Sequence, residues 1–405
     1  MNQIDDRFYC IKAHIVRVIL CLFFFMVISG GIYSFYLGNI FQYHDEADYY
    51  NLANNLVLKR SFSLNGEQPT AYRPPAYPFF LTPFIGLGWE IVHLRLLNFF
   101  ALGGCLLLLY GMLKRQYSPL TGLLAGALIL FYPVLFYAAG TLYPQTIASV
   151  LFLLILFMLA RTEVPAAKIY LYSGLLAGLL ILMIPNFLFP LFVLIIWISF
   201  YHRSLSKLFI FLLGILLLVG IWTARNYFVF ERFVFISTNS GFNLLLGNSE
   251  NATPNSGGVV DIRKYEESAS SLSEIEKDAY YRSRAIEFIL SHKWHSLKLY
   301  GLKILNYFNW QNELQTKEEA SWLGDLIMFI SYGTLLSLFL YRLLKCRTLP
   351  LDPFERLLTF IYVSNAFYQA IFFTRIRFRL PFEYLLIAMA AIFIAKLKPD
   401  LLPEK

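Results

Sequence analysis

The run Ile15–Leu37, IVRVILCLFFFMVISGGIYSFYL, decides the fold class. A single charge interrupts a stretch long enough to cross a hydrocarbon layer of roughly 30 Å at 1.5 Å per residue. Shortly beyond it comes a sharply polar segment, His44–Tyr50 (HDEADYY), and then Tyr72–Pro78 (YRPPAYP). Carboxylates and an arginine therefore gather where the chain leaves its first apolar run.

Similar runs recur along the whole chain. Of its 405 residues, 58% are hydrophobic, 18% aromatic and only 15% charged, which does not describe a water-soluble globule of this length. Spans are expected near 15–37, 91–113, 120–138, 142–160, 170–185, 187–200, 208–228, 322–341, 357–373 and 381–395, about ten in all. The expected fold is an all-α integral membrane protein, a polytopic helical bundle with two outer-face loops carrying interfacial helices. The chain divides into an N-terminal transmembrane module (1–228, with outer loop 39–90), an outer region (229–321) and C-terminal helices (322–405).

Lys and Arg in short connections set the orientation. Arg7, Lys12, Arg17, Lys114, Arg115, Arg161, Lys168, Arg203, Lys207, Arg342, Lys345, Arg347, Arg356, Lys396 and Lys398 all fall on one side if there are ten spans. Both termini are then cytoplasmic, and segments 39–90 and 229–321 face outward, in a multi-pass protein of the cytoplasmic membrane. The net charge of +8 is accounted for by these anchors, so it does not argue for nucleic acid as a partner. None of the four cysteines lies in an outer loop, and no disulfide framework is expected.

One internal repeat stands out. Residues 121–133 (TGLLAGALILFYP) and 173–185 (SGLLAGLLILMIP) agree at 9 of 13 positions. Two helices that both need small-residue packing faces account for this more simply than a transporter-type duplication.

In the first outer loop, Tyr49, Leu52, Ala53, Leu56 and Val57 fall at helical spacing, as on an amphipathic helix lying on the bilayer, with Asp45 at its N-cap position. In the second, Ser273 and Glu276 have capping-box spacing for a helix to about His292, and Trp294–Phe308 reads as an interfacial helix with Lys298 and Lys303. The Ser/Asn/Gly-rich stretch 237–253 suits turns and hydroxyl-rich ligands, and Asn251-Ala252-Thr253 fits the weak N-glycosylation pattern. Arg375, Arg377 and Arg379 alternate, which would place them on one face of an extended segment. Three outward arginines opposite an acidic loop read as an anion site.

No phosphate-binding glycine loop, His-Glu-x-x-His, Cys-x-x-Cys or Gly-x-Ser-x-Gly occurs, so nucleotide hydrolysis, zinc proteolysis and elbow-type serine chemistry have no support. An outward carboxylate with arginines suits displacement of a phosphate leaving group by a hydroxyl. The carboxylate takes the proton, and planar guanidinium groups neutralise the phosphate. Nucleotide sugars are cytoplasmic, so an outward site implies a sugar donor carried on a polyprenyl phosphate. A polyprenyl-glycan flippase, or an outer-face ligase using a diphosphate-linked donor, are the rival readings. Transporters place ionisable groups in mid-span, whereas the polar groups here gather outside.

Asp45-Glu46-x-x-Tyr49 followed by Arg73-Pro74-Pro75 resembles the first outer loop of the GT-C membrane glycosyltransferases. The similarity is to the branch of the protein O-mannosyltransferases and the lipid A aminoarabinose transferase. Arg225-Asn226-Tyr227 with Ser237–Gly241 and Gly247-Asn248 is similar to the middle region of bacterial members, and Arg377–Glu383 to their C-terminal Arg-x-Arg-x-Pro signature. The resemblance covers roughly residues 40–385 and implies a GT-C bundle performing an inverting transfer. It implies Asp45 as general base with Glu46 beside it, and Arg73 on the donor phosphate. Arg375, Arg377 and Arg379 are further phosphate candidates, and Tyr49, Tyr72, Arg225, Asn226 and Asn243 substrate contacts. Tyr72 and Gln145 stand where some relatives have acidic residues, so no second carboxylate role carries over there. Partners are then the polyprenyl-phosphate-linked sugar, membrane lipids and a glycan, lipid or protein acceptor. No cofactor and no metal ligand set follow from the sequence; a divalent cation is left open.

The orientation is directly testable. A cysteine placed at Asn65 is expected to react with a membrane-impermeant thiol reagent added outside intact cells, whereas Cys346 is not. Labelling of Cys346 from outside would overturn the orientation.

Overall fold

The computed structural model describes residues 2–160, 165–256, 260–311 and 322–397. Two of the orienting residues, Arg161 and Lys398, lie outside the described residues. Everything regular among those described is helical. The first long helix, α1 (Asn2–Leu37), ends in a short polar link that leads to α2 (His44–Lys59). Arg60 closes α2 in the left-handed conformation at φ 53°. A loop then runs to α3 (Ala76–Gly86), α4 (Ile91–Gln116) and a bent pair, α5 (Pro119–Leu130) and α6 (Pro133–Ala139). Apolar α7 (Gln145–Leu159), α8 (Ala167–Met183), α9 (Leu188–His202) and α10 (Leu205–Phe230) complete the first part.

Short helices α11 (Ser240–Gly247) and α12 (Arg263–Ser268) precede α13 (Glu274–Ser291) and α14 (Lys293–Tyr307). The chain ends in α15 (Trp322–Leu344), α16 (Pro353–Gln369) and α17 (Ile376–Leu397).

Among the described residues, six helices are long and apolar enough to cross a membrane, and the α5–α6 pair, bent by 66°, makes a seventh if taken as one span. Helices α7 and α8 are apolar but shorter, at 15 and 17 residues. The ten expected apolar runs fall largely on helix, but residues 142–144 and 370–373 do not, and α16 is not among the helices of membrane length and apolarity. Apolar side chains face outward around the bundle: Phe24, Phe25, Ile28 and Ile32 of α1 are each more than half exposed. Such a surface is stable against lipid rather than water.

The helix at the centre is α17. Of its spanning residues 83% are buried, against 17–22% for α1, α10 and α15. Its N-terminal end carries Arg377 and its other end Lys396, 19 residues on, or roughly 28 Å at helical rise. A charge network closes that second end. Arg342 of α15, fully buried, donates Nε and Nη2 to Glu355 at 2.8 Å each and Nη1 to the Leu349 carbonyl at 2.7 Å. Lys396 Nζ reaches Glu355 at 2.8 Å and Asp352 at 3.1 Å, and the Tyr117 hydroxyl donates to Asp352 at 2.8 Å. Asp352 and Glu355 also form the capping box of α16. Of the sequence's basic anchors, Arg342 and Lys396 are thus spent on tying helices together.

The repeat proves to be a packing device. Gly122 and Gly126 of α5 lie under Tyr110 and Ile19, while Gly174 of α8 faces Gly214 of α10. A Cβ at Gly214 would sit 2.8 Å from the Leu171 carbonyl, so the two backbones approach as only small residues allow. Pro133 and Pro185 each follow a helix end.

Three local expectations need correction. The N-cap of α2 is Tyr43, not Asp45, and the buried face Glu46–Tyr49–Leu52–Ala53 packs on protein, chiefly α3. Lys303 does not reach lipid. It is fully buried in α14, its Nζ 3.0 Å from Asn248 Oδ1, and burial holds its ammonium down to about 7. Residues 376–397 are helix, so Arg377 and Arg379 do not share an extended face. The capping box of α13 is as expected, with Glu276 accepting from the Ser273 N–H and hydroxyl.

Candidate functional site

Three segments far apart in sequence meet at Asp45. It lies in the first turn of α2, where acidic residues suit the positive end of the helix dipole, yet its carboxylate does not cap the helix. Oδ1 accepts from Arg73 Nη2 at 2.6 Å, and Oδ2 accepts from Arg377 Nη1 at 2.9 Å and the Tyr143 hydroxyl at 3.4 Å. Arg73 comes from the loop before α3, Arg377 from the N-terminal end of α17, and Tyr143 from the link between α6 and α7. The bend between α5 and α6 delivers that last link.

Arg73 has a second carboxylate partner and two aromatic neighbours. Its Nε and Nη2 reach Asp48 Oδ2 at 3.0 and 2.7 Å, and its guanidinium lies 5.0 Å from the Tyr72 ring and 5.6 Å from that of Tyr49. Arg377 lies over the Tyr143 ring at 4.7 Å. These aromatic faces hold the cations by their quadrupoles while keeping water from one side.

Burial alone would raise the Asp45 pKa, but Arg377 and Arg73 outweigh it and hold the carboxyl down to about 2. Burial likewise opposes the Arg73 charge, and the neighbouring tyrosines and carboxylates push its pKa upward. Asp45 is therefore ionised throughout the physiological range. Because its folded pKa is depressed, the ion pairs persist above the usual carboxylate range and are lost only as pH falls toward about 2.

Glu46, expected as a second reacting carboxylate, is turned away. It is fully buried, and its oxygens accept from the N–H groups of Gln42 at 2.7 Å and Leu142 at 3.1 Å. Burial raises its pKa against the pull of those bonds. Its place is structural: it ties the start of α2 to the link that carries Tyr143. Arg95 of α4 does the same for the preceding turn, donating to the Gly38 carbonyl at 2.6 Å and to that of Ile40.

The four arginines also divide. Arg375 donates to the carbonyls of Ser256 and Asn255 at 3.1 and 3.4 Å. Arg379 is 1% exposed; it pairs with Glu383, donates to the carbonyls of Tyr307 and Asn309, and lies 3.7 Å over the Tyr332 ring. Only Arg73 and Arg377 reach Asp45. Two residues apart on a helix, Arg377 and Arg379 point roughly 200° apart, one to the site and one into the core.

Among the expected substrate contacts, Tyr49 and Tyr72 line the site, while Arg225, Asn226 and Asn243 do not bond to it. Arg225 donates to the Thr70 carbonyl at 3.1 Å and stacks 4.8 Å from Trp222. Asn226 is spent on the Val234 and Ile236 carbonyls. Asn243 lies on α11, in a small second core built from α11, α12 and α13 with Phe373. Among the described residues no three His, Cys, Asp or Glu side chains come together as a metal site. Sequence reasoning missed Asp48 as the partner of Arg73, although its spacing of three from Asp45 puts both on one helix face. It also missed Tyr143, for which no local signal exists.

No family model and no curated protein matches this chain. Solved structures similar to it include two of ArnT from Cupriavidus metallidurans, one bound to undecaprenyl phosphate and one in the apo state. Identity is 12% in each case, over 96% of this chain and 79% and 78% of those chains, with TM-scores of 0.41 and 0.39.

The division of the arginines has a measurable consequence. Arg379→Ala leaves Glu383 buried without its cation, at a cost of about 3–5 kcal/mol. Arg377→Ala leaves the partly exposed Asp45 still paired with Arg73, and its cost is expected to stay within about 1 kcal/mol. Thermal unfolding of the two purified variants should separate them clearly. Equal midpoints would show that the Arg379–Glu383 pair does not hold the core.

Proposed function

We propose that the protein is a membrane glycosyltransferase of GT-C type that moves a sugar from a polyprenyl-phosphate donor to an acceptor hydroxyl on the outer face of the cytoplasmic membrane. The observation that carries this reading is the Asp45 carboxylate bridged by two guanidinium groups at 2.6 and 2.9 Å. A carboxylate that can take a proton, beside two forks that fit phosphate oxygens, is the equipment of a displacement at a phosphate-bearing carbon.

The step is a single displacement. Asp45 accepts the proton of the acceptor hydroxyl as its oxygen attacks the anomeric carbon. The bond from that carbon to the phosphate oxygen breaks, and the electron pair leaves with the polyprenyl phosphate. Attack opposite the leaving group inverts the anomeric centre. Arg73 and Arg377 stabilise the charge gathering on the phosphate, worth more in this partly desolvated place than in open water. Tyr49, Tyr72 and Tyr143 wall the site and hold its cations. Membrane crossing by the surrounding helices supports a lipid-borne donor, which can reach Arg73 and Arg377 from the bilayer without entering water.

Asp45→Asn is expected to keep the fold and donor binding while lowering turnover by about 10²–10⁴-fold, the usual contribution of a general base. The measurement is sugar transfer by purified protein in lipid, with donor binding followed separately. Transfer at the wild-type rate would remove Asp45 from the reaction.

A further inference from the structure

Asp45 is crowded before any substrate arrives. A carboxylate offers about four lone-pair positions. Arg73, Arg377 and the Tyr143 hydroxyl already occupy three of them, at 2.6, 2.9 and 3.4 Å. Two guanidinium charges face its single negative charge. So held, Asp45 is ionised but a poor acceptor for a hydroxyl proton.

The arginines are not spent to the same degree. Arg73 has a second anchor in Asp48, through Nε at 3.0 Å and Nη2 at 2.7 Å. Among the described residues its Nη1 makes no hydrogen bond, and Arg377 bonds only through Nη1. Both groups keep free N–H edges, and a phosphate offers several oxygens that two planar forks can grip bidentately at once.

Resting on the functional reading above, we propose that the donor phosphate draws Arg73 and Arg377 off Asp45, so that the base is released only in the donor complex. Asp48 is the positioning residue that keeps Arg73 in the site as this happens. The donor then binds before the acceptor is activated, and the same two cations serve first as a lock on the base and then as a clamp on the leaving group.

The groups facing Asp45 allow the switch. From α2 come Asp48 and Tyr49, from the loop before α3 Tyr72 and Arg73, from the α6–α7 link Tyr143, and from α17 Arg377. Glu46 is turned to backbone N–H groups. With the two arginines engaged elsewhere, nothing in this set keeps the carboxyl at about 2. Burial, Asp48 and the phosphate itself all favour the protonated form.

The test reads Asp45 without relying on sugar transfer. Full-length protein in nanodiscs is treated at pH 5 with a water-soluble carbodiimide and an amine, which label protonated carboxyls, and Asp45 is followed by peptide mass spectrometry. Alone, or with undecaprenol, Asp45 stays essentially unlabelled. With undecaprenyl phosphate its labelling rises roughly seventyfold, as expected for a carboxyl moving from about 2 to the ordinary ~3.9. The Arg73→Gln/Arg377→Gln double variant is labelled without lipid, showing that the reagent reaches the site. In Asp48→Asn, Arg73 pairs with Asp45 alone, so labelling stays low with lipid bound and kcat falls more than the donor KM changes. Bound undecaprenyl phosphate with unchanged Asp45 labelling overturns the release while leaving the functional reading intact. Failure of undecaprenyl phosphate to bind overturns both.

Discussion

The site depends on one carboxylate shared between two guanidinium groups. Asp45 is 28 residues from Arg73 and 332 from Arg377, so the bond closes the ends of the chain on one point. Each partner is delivered by a different element: the first turn of α2, the loop into α3, and the N-terminal end of the central helix. Because α17 is packed on nearly all sides, Arg377 is presented from the most buried of the long apolar helices described. The softer loop side, by contrast, is fixed by Asp48 and two tyrosine rings. A site assembled this way tolerates change on its loops only as long as the central helix keeps its place.

That place is set by charges of a different kind. Arg342–Glu355–Lys396 at one end of the bundle and Arg379–Glu383 near the other are buried pairs with most of their hydrogen bonds made inside the protein. Breaking such a pair is far more costly than losing an exposed one, since the remaining ion has nowhere to be solvated. Chemically alike residues therefore do opposite work two positions apart. Arg377 stays partly exposed and available to a ligand, while Arg379 is enclosed and holds helices together.

Much of this was legible in the sequence. Apolar runs of membrane length identify helices because a bilayer leaves the backbone few alternatives, and the ten expected runs fall largely on helix, though not all are long and apolar enough to span. Asp45 and Arg73 could be picked out because polar groups at the end of an apolar run have few structural duties. What periodicity could not reveal was direction. Arg375, Arg377 and Arg379 alternate as a strand would, but they sit at the start of a helix whose remaining residues, Glu383 and Lys396 apart, are almost all apolar. A run buried on all faces has no periodic signature to mark where it begins. Glu46 and Lys303 were misplaced because their partners, Leu142 and Asn248, are distant in sequence and visible only once folded. The turn from α6 into α7 that brings Tyr143 to Asp45 follows from a helix break whose angle no local rule supplies.

The most direct measurement is a structure of the full-length protein in lipid with polyprenyl phosphate bound. The phosphate is expected within hydrogen-bond reach of both Arg73 and Arg377, with the Asp45 carboxylate no longer paired to both and open toward the outer face. Phosphate bound elsewhere, with the Asp45 ion pairs intact, would contradict the account.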